Sequence, residues 1–346
     1  MKMIHSEIIT FGEIMMRLSV ASGQRWSQAT ELGIHFGGGE ANVAVGLSSM
    51  GESTKFVSAL PNNPIGQSCI GKLRQYGVDT TSIVTTDNRM GVYYLEQGVG
   101  QRPSEVVYDR ANSAFAELEP GTIDWKGVLK GATWFHWSGI SPGVSEKAAL
   151  VTKEAVVAAS EVPGLTISVD LNYRAKLWKY GVDPIDVMPE LVQHCDVLVG
   201  NEGHNNYMLG IDPVNGLGKT AEADLKEACL RVSSKFPRIK TVALALRENH
   251  SASHNSLGAY VLSNGKAARS TTFDIQPIVD RIGGGDAFMA GLIYGLRQWP
   301  SDQQRIINFA VGTSVLKHAQ EGDFSLSSLK EIEQLIQSNG TGHVSR

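Results

Sequence analysis

Cysteine is scarce in this chain. Cys69, Cys195 and Cys229 are its only three, and no two of them lie close together in sequence. Without a CxxC pair, the sequence predicts neither a zinc site nor a framework of disulfide bonds. Sparse cysteines of this kind fit a reducing compartment, so we expect a cytoplasmic protein.

Positive charge is also limited. The chain has 31 lysines and arginines against 35 aspartates and glutamates, a formal net charge of −4 at pH 7. Partners such as nucleic acids and anionic membranes attract basic proteins, so we expect neither here. No apolar run approaches the ~20 residues of a transmembrane helix. Because Glu7, Glu13 and Arg17 interrupt the apolar N-terminal segment, it predicts a strand rather than a signal peptide.

Two common nucleotide-binding signatures are missing. Residues 66–73 nearly match a Walker A loop, but Leu73 stands where a Ser or Thr would bind magnesium. No strand precedes this segment, and its periodicity is helical. A G-x-G-x-x-G string is also absent, which argues against a nicotinamide-dependent dehydrogenase.

Strand and helix patterns are abundant in the second half of the chain. The 346 residues suffice for one large α/β domain or two smaller ones. Predicted strands at 132–137, 165–171, 196–199 and 241–246 alternate with predicted helices at 145–160 and 221–235. This alternation predicts a parallel sheet with helices on both faces, which binds ligands at the carboxyl ends of its strands. Candidate ligand-binding residues stand at those ends: Gly12, Ser138, Asn172, Arg174, Asn201 and Arg247.

The segment 278–296 has the strongest chemical signal. An apolar run leads into Gly283, Gly284 and Gly285, and Asp286 follows in the first turn of a predicted helix. Bare N–H groups at a helix N-terminus bind anions, phosphate above all. A carboxylate beside them can take a proton from a hydroxyl group that attacks the phosphate. The alternative is a glycine-rich turn in which Asp286 only caps the helix.

A second glycine-rich turn precedes another predicted helix at residues 36–51. Gly38 and Gly39 permit a tight turn and close approach of a ligand to the backbone. Small residues repeat at helical spacing behind them, which suits close packing of the helix on the sheet. The alternative is a plain glycine turn.

Residues 91–116 break the α/β alternation. Two β-like runs flank glycines and a proline, which predicts a hairpin in a small sheet beside the main domain. Tyr94, Tyr108 and Arg110 are expected to meet on one face of this hairpin, where they would suit a carboxylate or polyol ligand. The alternative is an exposed hairpin with ordinary surface aromatic residues.

Residues 170–178 follow a predicted buried strand and read Asp-Leu-Asn-Tyr-Arg-Ala-Lys-Leu-Trp. Arg174 presents a guanidinium fork that suits an anionic ligand. The alternative is a surface arginine that pairs with Asp183 or with a nearby carbonyl group.

Two of these segments together resemble a known family. The string Asp280-x-x-Gly-x-Gly-Asp286 resembles the DTxGAGD signature of the ribokinase-like (PfkB) sugar kinases. The D-x-N-x-R-x-x-L-W string at 170–178 resembles 2-keto-3-deoxygluconate (KDG) kinases of that family. The resemblance implies a single kinase domain over residues 1–346, with a doubly wound, mainly parallel sheet, helices on both faces and a small β-sheet lid. The lid would comprise segments of about 14–35 and 91–116, and 339–346 would form a loose tail.

The resemblance also implies residue roles in phosphoryl transfer from ATP and Mg²⁺ to the sugar acid. Asp286 would be the base, and Gly283, Gly284, Gly285 and Arg174 would stabilise the transferred phosphoryl group. The implied substrate contacts are Gly38, Gly39, Asn42, Tyr94, Tyr108, Arg110, Ile140, Arg174, Asp286 and Asp323. The implied nucleotide contacts are Asn201, Arg247, Gly283 and Gly285.

The sequence departs from the family pattern in three places. The usual N-x-x-E reads Asn201-Glu202-Gly203-His204, so either Glu202 replaces the usual metal-organising Glu or phosphates and water hold the magnesium. Arg281 stands where the signature has Thr. The usual T-x-G-x-x-G after the late strand reads differently at 245–249, which leaves the adenine and ribose contacts open.

Three functional hypotheses therefore remain at the level of sequence. A KDG kinase comes first, because Arg174 and Arg110 favour an acidic substrate. A fructokinase, ribokinase or nucleoside kinase comes second, and a non-catalytic sugar-binding protein comes third because of the altered 201–204 motif. The C4 stereochemistry of the substrate, gluconate or galactonate type, stays open. An edge of the small lid sheet could pair between subunits, so we expect a homodimer.

Overall fold

A computed structural model describes residues 7–216 and 220–338 of the chain. The predicted tail at 339–346 lies outside the described residues. The strands are β1 Glu7–Phe11, β2 Met15–Ser19, β3 Gly33–Gly37, β4 Thr54–Pro61, β5 Ile83–Thr86, β6 Val92–Glu96, β7 Glu105–Asp109, β8 Ala132–Ser138, β9 Thr166–Asp170, β10 Val197–Gly200, β11 Thr241–Ser251, β12 His254–Ser263, β13 Lys266–Arg269 and β14 Phe273–Ile275.

The helices are α1 Gly39–Ser49, α2 Pro64–Gln75, α3 Trp125–Val128, α4 Ser141–Val144, α5 Glu146–Ser160, α6 Pro184–Val192, α7 Glu202–Leu209, α8 Glu222–Lys235, α9 Gly284–Gln298, α10 Gln303–Lys317 and α11 Leu329–Gln337. A single 3₁₀ turn covers Trp26–Gln28. The near-Walker segment 66–73 lies within α2, so it is a helix and not a phosphate loop. In the described part of the chain, no helix is long and apolar enough to cross a membrane.

The large sheet has the strand order β13-β12-β11-β10-β9-β8-β1-β4-β5, and β14 pairs with β12. The strands from β11 to β5 run parallel, whereas β12, β13 and β14 add antiparallel pairs at one edge. After β1, the strands β4 and β5 are added on one side of it. After β8, the strands β9, β10 and β11 are added on the opposite side. The strand order therefore reverses between β1 and β8, which is where a doubly wound sheet opens a crevice for ligands.

Apolar cores cover both faces of this sheet. One core packs α3, α5, α6, α7 and α8 against the strands, with Trp125 and Met208 among its buried side chains. The other packs α1, α9, α10 and α11 against the opposite face, with Met289 and Phe309 fully enclosed. The α/β class and the two-sided cover predicted from the sequence are confirmed.

A separate four-stranded sheet stands beside the main one, in the order β3-β2-β6-β7. β6 and β7 form the hairpin expected within residues 91–116. β2 and β3 arise from the segment 14–35 and extend two residues beyond it. Its parallel β2–β6 pairing joins the two segments into one small sheet.

The structure differs from the sequence prediction at β11. This strand was expected to end at Leu246, but it continues to Ser251 and forms a long hairpin with β12. Polar residues occupy the extension, so apolar patterning gave no signal for it. The extension places Arg247 on a projecting strand rather than in a loop.

Candidate functional site

The site lies at the reversal of strand order, where β1 and β8 end side by side. Glu40, in the first turn of α1, fills the space beside Gly12 at the end of β1 and is 1 % exposed. Its Oε1 atom accepts hydrogen bonds from the Ser138 N–H at 3.0 Å, the Ser138 hydroxyl at 2.7 Å and the Ser141 hydroxyl at 3.1 Å. A buried carboxylate therefore links the ends of both strands.

The glycine-rich turn before α9 brings Asp286 to this crevice. Gly283 is the N-cap of α9 and has φ 82°, a left-handed conformation that favours glycine. No side chain caps this helix, and Asp286 lies in its first turn with Gly284 and Gly285. The alternative in which Asp286 caps the helix is therefore wrong, and its carboxylate remains available to the crevice.

The three glycines of the turn have different surroundings. A Cβ atom on Gly283 would lie 1.9 Å from the carbonyl oxygen of Asp323, and one on Gly284 would meet the ring of His318. A Cβ atom on Gly285 would meet nothing within 4 Å. Gly283 and Gly284 thus permit close packing of the protein, whereas Gly285 faces open space at the N-terminus of α9.

Asp286 is held by α1 across a close helix contact. The Nδ2 atom of Asn42 donates a hydrogen bond of 2.6 Å to Oδ2 of Asp286. One turn further along both helices, a Cβ atom on Gly46 would come within 3.0 Å of the Cβ atom of Ala290. The small residues predicted to permit close packing of α1 therefore do so against α9, and this contact brings Asn42 to Asp286.

Gly39 lies at the centre of the crevice. A Cβ atom built there would lie 3.7 Å from Oδ1 of Asp286, 3.8 Å from the Ser138 hydroxyl and 4.0 Å from Nδ2 of Asn172. Its neighbour Gly38 instead faces the carbonyl group of Glu13. Of the two glycines predicted to contact a ligand, Gly39 borders the open crevice beside the candidate base.

Three carboxylates share this region, and we call Glu40, Asp170 and Asp286 the acid cluster. Burial raises the pKa of Asp286 to about 6, although the Asn42 hydrogen bond and the charge of Arg174 oppose the shift. Burial, with the charge of Asp286 acting in the same direction, raises the pKa of Asp170 to about 7. Burial also raises the pKa of Glu40 to about 7. Proton loss from these groups is coupled, because each negative charge disfavours the next.

Three arginines lie at the mouth of the crevice. Arg174 is exposed, and in the described part of the chain neither its guanidinium group nor that of Arg247 makes a hydrogen bond or ion pair. Partial desolvation, together with the nearby positive charges of Arg281 and Arg174, lowers the pKa of Arg247 to about 10. Arg281 donates through one nitrogen to the carbonyl oxygens of Ser251 and Ala252. Such a concentration of cations suits a polyanion such as a triphosphate.

The register of the β6–β7 hairpin places Tyr93, not the predicted Tyr94, on the same face as Tyr108. Tyr108 pairs with Tyr93, and Tyr94 pairs with Val107. Because side chains alternate across a strand, Tyr94 and Tyr108 point to opposite faces, so the expectation that they meet on one face is wrong. Tyr94 packs against Trp26 with ring centroids 6.0 Å apart. Tyr93 is the tyrosine that accompanies Tyr108.

Arg110 reaches the expected side of the hairpin but already has a partner there. It lies over the ring of Tyr108, and its Nε donates to Oε2 of Glu13 at 2.8 Å. The other oxygen of Glu13 accepts from the Ser113 hydroxyl at 2.6 Å. The positive charge of Arg110 is therefore compensated within the protein, unlike that of Arg174.

Asp323 belongs to a second buried group, which we call the ion-paired cluster. Nη1 of Arg17 contacts Oδ2 of Asp280 at 2.7 Å and Oδ1 of Asp323 at 3.1 Å. The Tyr93 hydroxyl donates to the other oxygen of Asp323. Both oxygens of Asp323 thus have protein partners, and its predicted substrate contact stays a prediction. Burial favours a lower pKa for Arg17, but Asp280 and Asp323 outweigh it and raise the pKa.

The 201–204 motif forms the start of α7. Oδ1 of Asn201 caps the helix by accepting from the His204 N–H at 2.9 Å. Oε1 of Glu202 accepts from the Val214 N–H at 2.8 Å. Burial, followed by the charge of Arg174, lowers the pKa of His204 to about 4, so this histidine is neutral beside the arginine. One carboxylate oxygen of Glu202 is thus engaged by the backbone N–H of Val214.

Four residues of this region were not predicted: Glu40, Asp170, Tyr93 and Arg281. Glu40 directly follows Gly39, which was chosen, and Asp170 begins the 170–178 string that contains Arg174. An acidic residue at the end of an apolar strand was the available signal for Asp170, because burial of such a group is rarely without function. Ile140, which was predicted, lies half-buried beyond β8, and its N–H contacts the Ser138 hydroxyl at 3.3 Å.

Comparison with known proteins agrees with this geometry. The family model "pfkB family carbohydrate kinase" matches residues 5–327. The chain is 32 % identical to a 2-dehydro-3-deoxygalactonokinase of Haloferax volcanii, over 97 % of this chain and 98 % of that protein. It is 42 % identical to a 2-dehydro-3-deoxygluconokinase of Thermotoga maritima, whose crystal structure matches with a TM-score of 0.90 over 96 % of this chain and 98 % of that one.

A more distant structure shares the fold. A putative ribokinase II from E. coli, solved with ATP and Mg²⁺, is 22 % identical and matches with a TM-score of 0.75 over 96 % of this chain and 99 % of that one. The chain belongs to the pfkB family of carbohydrate kinases. Membership makes it a phosphotransferase that acts on a sugar hydroxyl group.

Proposed function

We propose that this kinase phosphorylates 2-keto-3-deoxygluconate at its terminal primary hydroxyl group, giving 2-keto-3-deoxy-6-phosphogluconate and ADP. The observation that carries the proposal is a half-buried carboxylate, Asp286, at the N-terminus of α9 within reach of the charge of an unpaired arginine, Arg174. The relatives named above act on 2-dehydro-3-deoxy sugar acids, and this agrees with an acidic substrate.

Each part of the crevice has a role in the proposed step. The sugar hydroxyl oxygen forms a bond to the γ-phosphorus, the bond from that phosphorus to the β–γ bridging oxygen breaks, and ADP leaves with the electron pair. Asp286 takes the hydroxyl proton, and Asn42 fixes its orientation. The N-terminus of α9 at Gly285 and the charge of Arg174 stabilise negative charge on the transferred group. Positioning and electrostatics therefore account for most of the catalysis.

Magnesium fits this site mainly as a companion of the nucleotide. The predicted protein ligand Glu202 accepts a backbone hydrogen bond from Val214, and the side-chain oxygen of Asn201 caps α7. Mg²⁺ readily keeps water and phosphate oxygens as ligands, so phosphates and water would hold it here. When bound, it would neutralise charge on the triphosphate beside Arg247.

Substrate selection rests on Arg174 in this proposal. The pairing of Arg110 with Glu13 removes one of the two cations expected to favour an acid. Arg174 has no such partner in the described chain, so it is the residue that would meet a substrate carboxylate or the transferred phosphoryl group. Tyr108 and Arg110 would contact the sugar from the small sheet, together with Tyr93 rather than Tyr94.

Release of ADP from MgATP tests the proposal directly. KDG, its galactonate epimer, fructose, ribose and gluconate should be compared with purified protein. We expect kcat/KM for KDG or its epimer to exceed that for the neutral sugars by at least about 100-fold, as a site built around a polar group typically achieves. Arg174→Gln should lose most of this preference, whereas Lys179→Gln, a charge change in the same exposed segment, should keep it.

Two other outcomes would redirect the assignment. Faster turnover of fructose or ribose would leave the fold and Asp286 in place but reject recognition of an acid. Absence of turnover with every sugar, in protein that still binds KDG, would favour the non-catalytic sugar-binding alternative.

We also propose that the protein is a cytoplasmic homodimer joined through the small sheet. Ile34 on the edge strand β3 is 63 % exposed, and Val107 on the opposite edge strand is 49 % exposed. Unpaired edges with apolar side chains favour association. Light scattering should give twice the chain mass for the wild type and the chain mass for Ile34→Lys.

The free, buried cysteines agree with a reducing compartment, and cell fractionation tests that location.

A further inference from the structure

The outer end of the β11–β12 hairpin carries a group of metal-binding side chains that the kinase reaction does not use. His250, His254 and Asp274 each offer one ligand atom, and these atoms all lie within 4.8 Å of one another. The three residues come from β11, β12 and β14, and the pairing of β12 with both other strands brings them together. The rings of the two histidines have centroids 4.5 Å apart.

Strand register explains why these side chains share a face. Ser256 pairs with Glu248 on one side and with Asp274 on the other, so all three point the same way. His254 is two residues from Ser256 on β12 and therefore shares that face. The register shifts between Asn249 and Ser251, and an irregularity of this β-bulge type redirects a side chain, here that of His250.

The opposite face of the same hairpin belongs to the kinase site. Arg247, Asn255 and Leu257 point to that side, and Asn255 accepts from Arg281 at 3.2 Å. The histidine cluster is thus separated from the nucleotide-facing arginines by the thickness of one sheet. It is partly exposed, so an ion could reach it from solvent without entering the crevice.

We propose that His250, His254 and Asp274 form a binding site for a transition-metal ion of the Zn²⁺ class. Two imidazole nitrogens and one carboxylate oxygen are a common ligand set for zinc, with water in the fourth position. Mg²⁺ prefers oxygen ligands, so the magnesium that accompanies ATP would not compete. The His250 ring has the Ser256 hydroxyl 2.7 Å from Nε2 and Glu248 3.8 Å from Nδ1. One of the two ring nitrogens would bind the ion, and the contact at the other nitrogen would orient the ring.

The ion would join β14 to the hairpin tip, and this tip connects other parts of the kinase. The Ala252 N–H donates to the carbonyl oxygen of Gly100 at 2.8 Å, next to the small sheet. Arg281, within the signature segment, donates to the carbonyl oxygen of Ala252 at 2.9 Å. Metal binding should therefore reduce motion of the tip that lies between the small sheet and the signature segment.

Zn²⁺ titration of the full-length protein without a polyhistidine tag tests the site, in buffer that contains millimolar Mg²⁺. We expect one Zn²⁺ per chain by calorimetry, a ligand-field spectrum with Co²⁺, a higher Tm and slower hydrogen exchange at residues 247–256. His254→Ala and Asp274→Asn should each weaken binding by at least about tenfold. His194→Ala, at a partly exposed histidine elsewhere, should bind as the wild type does.

Two results would overturn the proposal. One is the absence of saturable binding by wild-type protein at micromolar Zn²⁺. The other is equal affinity in the wild type, His254→Ala and Asp274→Asn, because binding would then occur elsewhere. Circular dichroism establishes that each variant is folded, and the conservative Asp274→Asn change keeps the test valid if His254→Ala does not fold.

Discussion

The acid cluster and the ion-paired cluster lie close together and both bury carboxylates, but they differ in how charge is compensated. In the ion-paired cluster, one arginine bridges Asp280 and Asp323 at 2.7 and 3.1 Å. In the acid cluster, Asp286 has an amide partner at 2.6 Å, and its cation, Arg174, stands at the surface. One group is arranged as an internal ion pair, whereas in the other no cation of the described chain directly contacts the carboxylate of Asp286.

This difference separates a structural role from a chemical one. Removing one partner of a buried ion pair leaves an uncompensated charge, so the ion-paired cluster matters for stability. A buried carboxylate without a cation has a raised pKa, and such groups occur most often at functional sites. The pKa of about 6 for Asp286 lies close to the range in which a general base works.

Location supports the same distinction. Arg17 and Tyr93 belong to the small sheet, whereas Asp280 and Asp323 belong to segments that border the glycine-rich turn. The ion-paired cluster therefore joins the small sheet to the main domain. The acid cluster lies at the end of strand β9 and in the first turns of α1 and α9, beside the end of β8, where a ligand would enter.

The largest expected effect comes from the acid cluster. Asp286→Asn should lower kcat by at least about 10²–10³-fold, since loss of a group aligned with the reacting atoms typically has that effect. The amide has the same shape, so Tm should stay within a few degrees of the wild-type value. Steady-state kinetics and thermal unfolding measure both. Wild-type turnover in the variant would remove Asp286 as the base.

The ion-paired cluster should show the opposite pattern. Arg17→Met removes the guanidinium group that contacts both Asp280 and Asp323 and should destabilise the protein by about 3–5 kcal/mol. Arg231→Met removes an exposed pair with Glu227 on one helix and should change stability by less than about 1 kcal/mol. Urea unfolding compares the two variants. Equal stabilities would mean that the buried pair has no structural role.

The features of the fold and of the acid cluster that depend on local sequence pattern could be predicted from the sequence. Alternating strands and helices gave the sheet, and glycines followed by an aspartate gave the turn at 283–286. These features are encoded within a few residues, so reading the chain was enough to find them. Asn42 was implied by the family resemblance rather than by local pattern.

Contacts between residues that are far apart in the sequence could not be predicted from local patterns. Choosing Tyr94 instead of Tyr93 is an error of one residue, which in a strand reverses the face of the side chain. The partner of Arg110 is Glu13, 97 residues earlier in the chain. Glu40 became part of the site only because β1 and β8 end beside each other. Strand register and strand order decide these contacts, and neither follows from local composition.

The smallest expected effect concerns the pH dependence of the acid cluster. Asp286 must be deprotonated to act as a base, so kcat/KM should fall tenfold per unit as the pH decreases below about 6. The Asn42 hydrogen bond stabilises the carboxylate and lowers its pKa. Asn42→Ala should therefore move this acid limb to higher pH, whereas Asn206→Ala, on the surface of α7, should leave it in place.

The position of the acid limb in Asn42→Ala distinguishes two explanations of the pH dependence. If Asp286 is controlled mainly by Asn42 and burial, loss of the amide raises the apparent pKa, as expected. If Glu40 and Asp170 dominate the titration, the observed value belongs to the coupled group, and the Asn42→Ala limb should coincide with that of the wild type. An unchanged limb in Asn42→Ala would thus assign the pH dependence to the cluster as a whole and not to the base alone.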